Sequence, residues 1–124
     1  MHSQLFISIA RMHHISNPSK FRRLRRHALQ SEVSGLVKTG KPGVLVLDGK
    51  KAKIKTFLER ARELRYLDFH HVDMQPLPMD MMIRLADGKF GLQEVTNMSE
   101  LIKALDRISL KEWFRNQMGM AKSP

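Results

Sequence analysis

Four consecutive apolar residues, Val44-Leu45-Val46-Leu47, constrain this chain more than any other feature. Side chains alternate faces along a strand, so a strand that is apolar at every position belongs in a sheet covered on both faces. Gly43 before the run and Asp48-Gly49 after it mark its ends, because glycine and aspartate are poor strand formers and good turn formers. The fold must therefore place a layer of structure on each side of this strand.

The neighbouring segments supply the first layer. Gln4 to Ile9 has a period-two texture and reads as a strand running toward His13 and His14. Asn17 is an N-cap ahead of Pro18, which suits the first helical position, and a helix from Pro18 to about Leu29 puts Phe21, Leu24 and Ala28 on one face. Val33 to Lys38 is a short strand, and Thr39 to Gly43 is a hairpin turn with two glycines. Ala52 to Leu64 is a helix in which Ile54, Phe57, Leu58, Ala61 and Leu64 recur at helical spacing. Leu67 to Val72 reads as a fourth strand. The order β-α-β-β-α-β within residues 1–75 is that of the split-βαβ, ferredoxin-like α+β fold. It predicts a four-stranded antiparallel sheet with two helices on one face.

The second layer must come from residues 76–124, a C-terminal helical extension. Met74 to Pro78 breaks regular structure, and Met79 to Leu85 is open between a short strand and a helical turn. Asn97 with Glu100 opens a helix from Met98 to about Ile108. Ser109 with Glu112 reads as a capping box for Leu110 to Met118, with Gly119 ending that helix. The expectation is one domain over residues 1–124, with the extension folded back over part of the otherwise wet face of the sheet.

The chain has no cysteine, which excludes disulfides and thiolate metal sites. The longest apolar run near the N-terminus, Leu5 to Ile7, is far too short for a signal sequence or a membrane span. No acid precedes Glu32, whereas Arg11, Lys20, Arg22, Arg23, Arg25 and Arg26 do, a composition shared with transit peptides. The strand reading of Gln4 to Ile9 argues against that use. An intracellular protein, nuclear or cytoplasmic rather than mitochondrial, is expected.

Charge is the main functional signal. Residues 1–65 carry 15 of the 22 Lys and Arg against four acids, a net +11, whereas residues 66–124 carry seven bases against eight acids. So lopsided a field attracts polyanions, although high charge by itself also keeps a small protein soluble.

Three motifs resemble a known family. His13-His14-Ile15-Ser16, Gly40-Lys41-Pro42-Gly43-Val44 and Asp48-Gly49 resemble the C-terminal domain, long catalogued as a domain of unknown function, that a tri-snRNP pre-mRNA splicing factor shares with some RWD-domain proteins. Trp113-Phe114-Arg115 to Met118-Gly119 resembles the ending of the RWD-linked members. The resemblance spans residues 4–119 and implies a ferredoxin-like fold. It implies binding of small nuclear RNA if the splicing factor is the better guide. With no RWD domain ahead of these motifs in this sequence, a fragment or a free-standing member is expected, and the chain departs from the RWD-linked members in opening its second helix with Lys50, Lys51, Lys53 and Lys55.

Those four lysines bear on function without any family. Cations at a helix N-terminus oppose the macrodipole at about 0.3–1 kcal/mol each. A bound phosphate would reverse that sign, because lysines and free backbone N–H groups would then face an anion. Long lysines bent into water, with Lys55 beside Glu59, are the alternative. Lys20, Arg22, Arg23 and Arg26 give the first helix a cationic side, with Arg25 next to the apolar face and in need of a partner. Lys38 and Lys41 flank the hairpin turn. The expected partner is the RNA phosphate backbone, contacted through Lys20, Arg22, Arg23, Arg26, Lys38, Lys41, Lys50, Lys51, Lys53 and Lys55. The third strand offers no aromatic stacking platform, and Phe6 and Phe69 are expected in the core.

No catalytic, metal, cofactor or small-molecule site is expected. His13-His14 and His70-His71 are each adjacent on a strand and so should point apart. His14-x-Ser16 is half of a two-histidine phosphoesterase motif, but His71-Val72-Asp73 does not complete it, and a hydrolase centred on His14 is the weakest of the readings. A protein–protein adaptor is the main alternative to RNA binding, with Met79, Met81, Met82, Met118 and Met120 as an adaptable apolar patch.

Overall fold

A computed structural model of the chain describes residues 4–78 and 84–120. Strand β1 (Leu5–Met12) leads into helix α1 (Pro18–Gln30), then β2 (Ser34–Lys38), β3 (Gly43–Lys50), α2 (Lys51–Glu63) and β4 (His70–Pro76). A tight turn at Leu85–Gly88 precedes β5 (Gly91–Val95), and helices α3 (Met98–Arg107) and α4 (Lys111–Gln117) follow. The sheet order is β4-β1-β3-β2-β5. β3 lies at its centre, antiparallel to both β1 and β2. β1 and β2 are therefore parallel across β3, and β3 and β4 are parallel across β1, which is the split-βαβ pattern.

The expected four-stranded antiparallel sheet is corrected by β5. This fifth strand pairs parallel with β2, making the sheet mixed. Gly91-Leu92-Gln93-Glu94-Val95 is short and buries only its first two residues, so it carries little periodic signal. The fourth strand also starts later than expected, at His70. Arg65 and Asp68 take φ of 58° and 57°, and this turn leaves Leu67 63% exposed. β4 bulges opposite Ile9 and Ala10, and ends on Pro76, where an edge strand tolerates a missing N–H.

Both faces of β3 are covered, as its apolar run requires. Leu45 and Leu47 share a core with Leu24 and Ala28 of α1 and Ile54, Phe57 and Ala61 of α2. Val44 and Val46 share a second core with Ile7, Ile9, Leu101, Leu105 and Phe114. Residues after β4 thus fold back over the second face. Helix starts follow local chemistry. The Asn17 side chain accepts from the Lys20 N–H at 3.0 Å, and Asn97 from that of Glu100 at 2.8 Å. The expected Ser109 cap of the last helix is replaced by Leu110. Ser109 takes φ 61°, a turn conformation outside the extended range of an N-cap.

One charge pair lies deep at the far end of β3. Asp48 is 1% exposed, and Arg84 Nη2 donates to its Oδ1 at 2.8 Å. Burial pushes the Asp48 carboxyl up from its ordinary value, against the lowering effect of Arg84. A carboxyl raised in the folded state adds stability that is complete below the unfolded pKa and is lost as pH rises through the folded one. Arg84→Ala strands a buried carboxylate, at an expected cost of about 3 kcal/mol at neutral pH, the low end for a broken buried pair because Arg84 keeps some contact with water. The cost should shrink as pH falls toward the aspartate range. Urea unfolding of both proteins at neutral and acidic pH reads this directly, and a cost that stays constant contradicts the assignment.

Candidate nucleic-acid interface

The ten cations expected at the interface divide into two groups. Three have structural work. Lys38 is 7% exposed, and its ammonium donates to the carbonyls of Lys41 at 3.3 Å and Pro42 at 2.9 Å, fixing the hairpin from inside. Lys20 is half-buried, donates to the Arg65 carbonyl at 3.2 Å, and lies 5.4 Å from the Tyr66 ring centre. Lys53 forms a 2.9 Å ion pair with Glu32, which holds that carboxyl below its ordinary value. The other seven, Arg22, Arg23, Arg26, Lys41, Lys50, Lys51 and Lys55, are exposed, and none forms an ion pair among the described residues.

Their placement follows from the fold. Arg22, Arg23 and Arg26 are three and four residues apart on α1 and share one outward face. Lys50 occupies the N-cap position of α2 and makes no side-chain capping bond, and the first turn of that helix has no acid. Lys51 lies 5.3 Å from the Phe6 ring centre. Lys41 is at the other end of β3. Eight strand residues, rising about 3.4 Å each, separate the hairpin from the start of α2, so these two lysine groups are not neighbours. α1 joins them. Its start lies near the Ile15–Gly40 bridge, and its end near the Glu32–Lys53 pair. Arg25 finds the partner it needed in β5, donating to the Leu92 carbonyl at 3.2 Å and lying 4.0 Å from Glu94.

The motif residues gather at the hairpin end. Ile15 and Gly40 exchange backbone hydrogen bonds of 2.9 Å, and the His13 N–H donates to the Leu67 carbonyl at 2.8 Å. Gly40 takes φ 84°, and a Cβ on Gly43 would strike the Ile15 side chain, so both glycines of the turn are required. These ties hold the ends of β1, the hairpin and the start of β4 around a cavity of about 670 Å³ that includes Arg11, His13, Lys41 and His70 in its wall. Arg11, His13 and His70 are not among the residues expected at an interface, and the structure groups them with Lys41. Three distant segments build this wall, and no local pattern marks it.

The histidines also depart from expectation. β1 ends at Met12, so strand alternation no longer applies at positions 13 and 14, and His13 Nδ1 lies 2.9 Å from His14 Nδ1. One ring donates and the other accepts. His71 Nε2 lies 2.9 Å from the hydroxyl of Ser8, which is buried. Burial pushes the His71 imidazole below its ordinary value, which suits a neutral, bonded ring. Phe6 and Phe69 pack against the first core, with Arg62 lying 5.2 Å from the Phe69 ring centre.

The fold, once assembled, can be set beside those of known proteins. The chain matches no family model and no curated protein. It is similar to solved structures. The dark-state structure of BlrB, a BLUF protein, is 15% identical over 95% of this chain and 97% of that one, with a TM-score of 0.58. A bacterial light-regulated adenylyl cyclase is 9% identical over 92% of this chain, with a TM-score of 0.51, and the match covers 35% of the cyclase. At such identities the likeness is one of fold. It agrees with an α+β domain of ferredoxin-like type.

The methionines expected to form an apolar patch are described only in part. Met118 and Met120 pack, half-buried, against the second core, whereas Met79, Met81 and Met82 lie outside the described residues. No helix among the described residues is long and apolar enough to cross a membrane.

Proposed function

We propose that this protein is a non-catalytic RNA-binding module that holds the phosphate backbone along α1 and at both of its ends. The observation that carries the reading is the set of seven exposed cations without ion pairs among the described residues, spread over α1, the hairpin turn and the start of α2. Lysines at an uncapped helix start oppose the macrodipole, and an anion there reverses that sign. The resemblance of His13-His14-Ile15-Ser16 and Gly40-Lys41-Pro42-Gly43 to the splicing-factor domain supports the same reading. Phosphate contacts of this kind give affinity and strong salt dependence with little sequence selectivity.

Arg22→Glu, Arg23→Glu and Arg26→Glu combined are expected to weaken RNA binding at low salt at least a hundredfold. The fold should be unchanged, because all three side chains are exposed and unpaired among the described residues. Filter retention of labelled RNA, with circular dichroism as a control, reads this. A folded triple variant with wild-type retention removes α1 from the interface.

One observation favours a protein partner as a second reading. Leu29 and Phe90 are 57% and 56% exposed beside the edge strand β5, and such paired apolar exposure suits an adaptor surface. A purified partner that stays bound in high salt after nuclease treatment would favour it.

A further inference from the structure

The cavity at the hairpin end is not explained by backbone binding along α1. It is an open depression of about 670 Å³, a volume within the range of small-molecule sites. Its wall holds a guanidinium (Arg11), an ammonium (Lys41) and two imidazoles (His13, His70), with a single carboxylate, Asp68. Among the described residues neither Arg11 nor Lys41 forms an ion pair, with Asp68 or any other acid. Phe69 adds an apolar wall, its ring held by the first core and by Arg62.

We infer that this cavity is a subsite for one ribonucleotide carrying a phosphomonoester, either a free nucleoside monophosphate or the phosphorylated end of an RNA strand. The donors outnumber what an internal phosphodiester can use. That group has one charge and two free oxygens, whereas a terminal phosphate has up to two charges and three free oxygens. The planar fork of Arg11 suits two of those oxygens, and Lys41 supplies a point charge for the third. Asp68, without an ion pair among the described residues, is the acceptor for ribose hydroxyls, and the edge of the Phe69 ring, whose faces are taken by the core and Arg62, gives the nucleoside an apolar contact. The wall is built before any ligand arrives. Backbone bonds tie His13 to Leu67 and Ile15 to Gly40, and Lys38 fixes the carbonyls of Lys41 and Pro42. The His13–Ser16 and Gly40–Val44 segments are thereby both used, although neither contributes to the exposed faces of α1 and α2.

This inference deepens the RNA reading but is tested apart from it. The whole chain is titrated calorimetrically with adenosine 5′-monophosphate and with adenosine. The monophosphate is expected to bind at least about tenfold more tightly. Arg11→Gln and Lys41→Gln, each checked for a wild-type melting transition, should each remove that preference, and Asp68→Asn should erase any preference for the ribonucleotide over its 2′-deoxy form. A parallel arm compares one short RNA with phosphate or hydroxyl ends. Tighter binding of the phosphate-ended RNA than of the hydroxyl-ended one identifies a strand end as a ligand, and a monophosphate preference with RNA ends that make no difference identifies a free nucleotide. Equal binding of monophosphate and adenosine, together with RNA ends that make no difference, overturns the subsite and leaves backbone binding along α1 standing. Nucleotide binding by a chain that ignores RNA backbone would do the opposite.

Discussion

Lys50→Glu, Lys51→Glu and Lys55→Glu together are expected to abolish RNA retention while leaving the fold as stable as before or slightly more so. Lys53 is spared because it holds Glu32. A lysine about 4 Å from a phosphate gains about 1 kcal/mol in water and more near a protein surface, and reversal turns that attraction into repulsion. Three reversals therefore predict a loss of at least about a thousandfold. Stability should move the other way. Acids at positions 50 and 51 would gain about 0.3–1 kcal/mol each from the helix dipole, less about 0.2–0.5 kcal/mol for an acid at 55 facing Glu59. Loss of the Lys51 contact with Phe6 gives back about 0.5–1 kcal/mol. The two nearly cancel. Binding and thermal melting of the same preparation check both signs. A variant that loses binding only because it unfolds would not support the interface, and a stable variant with wild-type retention would remove α2 from it.

Phe114→Ala is expected to destabilise the whole domain by about 3–5 kcal/mol, as much as Phe57→Ala. Both rings are fully buried, Phe57 in the core beneath α1 and α2 and Phe114 in the core beneath α3 and α4. The two cores share β3, whose side chains alternate between them, so loss of either should be felt by the sheet. Against a total stability of about 5–15 kcal/mol, either change removes a large fraction. Denaturant unfolding followed by circular dichroism and by Trp113 fluorescence should show one transition in both variants. Trp113 is a useful probe because its indole N–H donates to Asp73 of β4 at 2.8 Å, linking α4 to the sheet. If Phe114→Ala instead splits the transition and leaves the sheet at wild-type stability, α3 and α4 form a separable appendage.

Much of this architecture can be read from residue patterns. The apolar run at Val44–Leu47 requires two covering layers, and the cores of Phe57 and Phe114 provide them. Asn17 and Asn97 mark helix starts because side-chain capping is local chemistry. β5 escapes notice because its pairing with β2 is long-range and only one short stretch of it is buried. β4 is displaced because residues 65 and 68 adopt left-handed turns that neither arginine nor aspartate announces. For the interface, sequence shows where cations are but not which are occupied. Lys38, Lys20 and Lys53 resemble their neighbours in composition, yet each has a structural partner. Nor does sequence show that Arg11, His13, Lys41 and His70 share one cavity, since register and turn geometry bring them together.

The central claim is that exposed cations on α1, the hairpin and the start of α2 bind RNA by its phosphates. Its most direct test is the affinity of the whole chain for a labelled RNA with a duplex–single-strand junction, measured at about 50 and about 200 mM salt. Six or so phosphate contacts predict a fall of roughly a thousandfold between the two conditions. Absence of binding at the lower salt, or an affinity that barely changes, would contradict the claim and leave the positive charge to another partner.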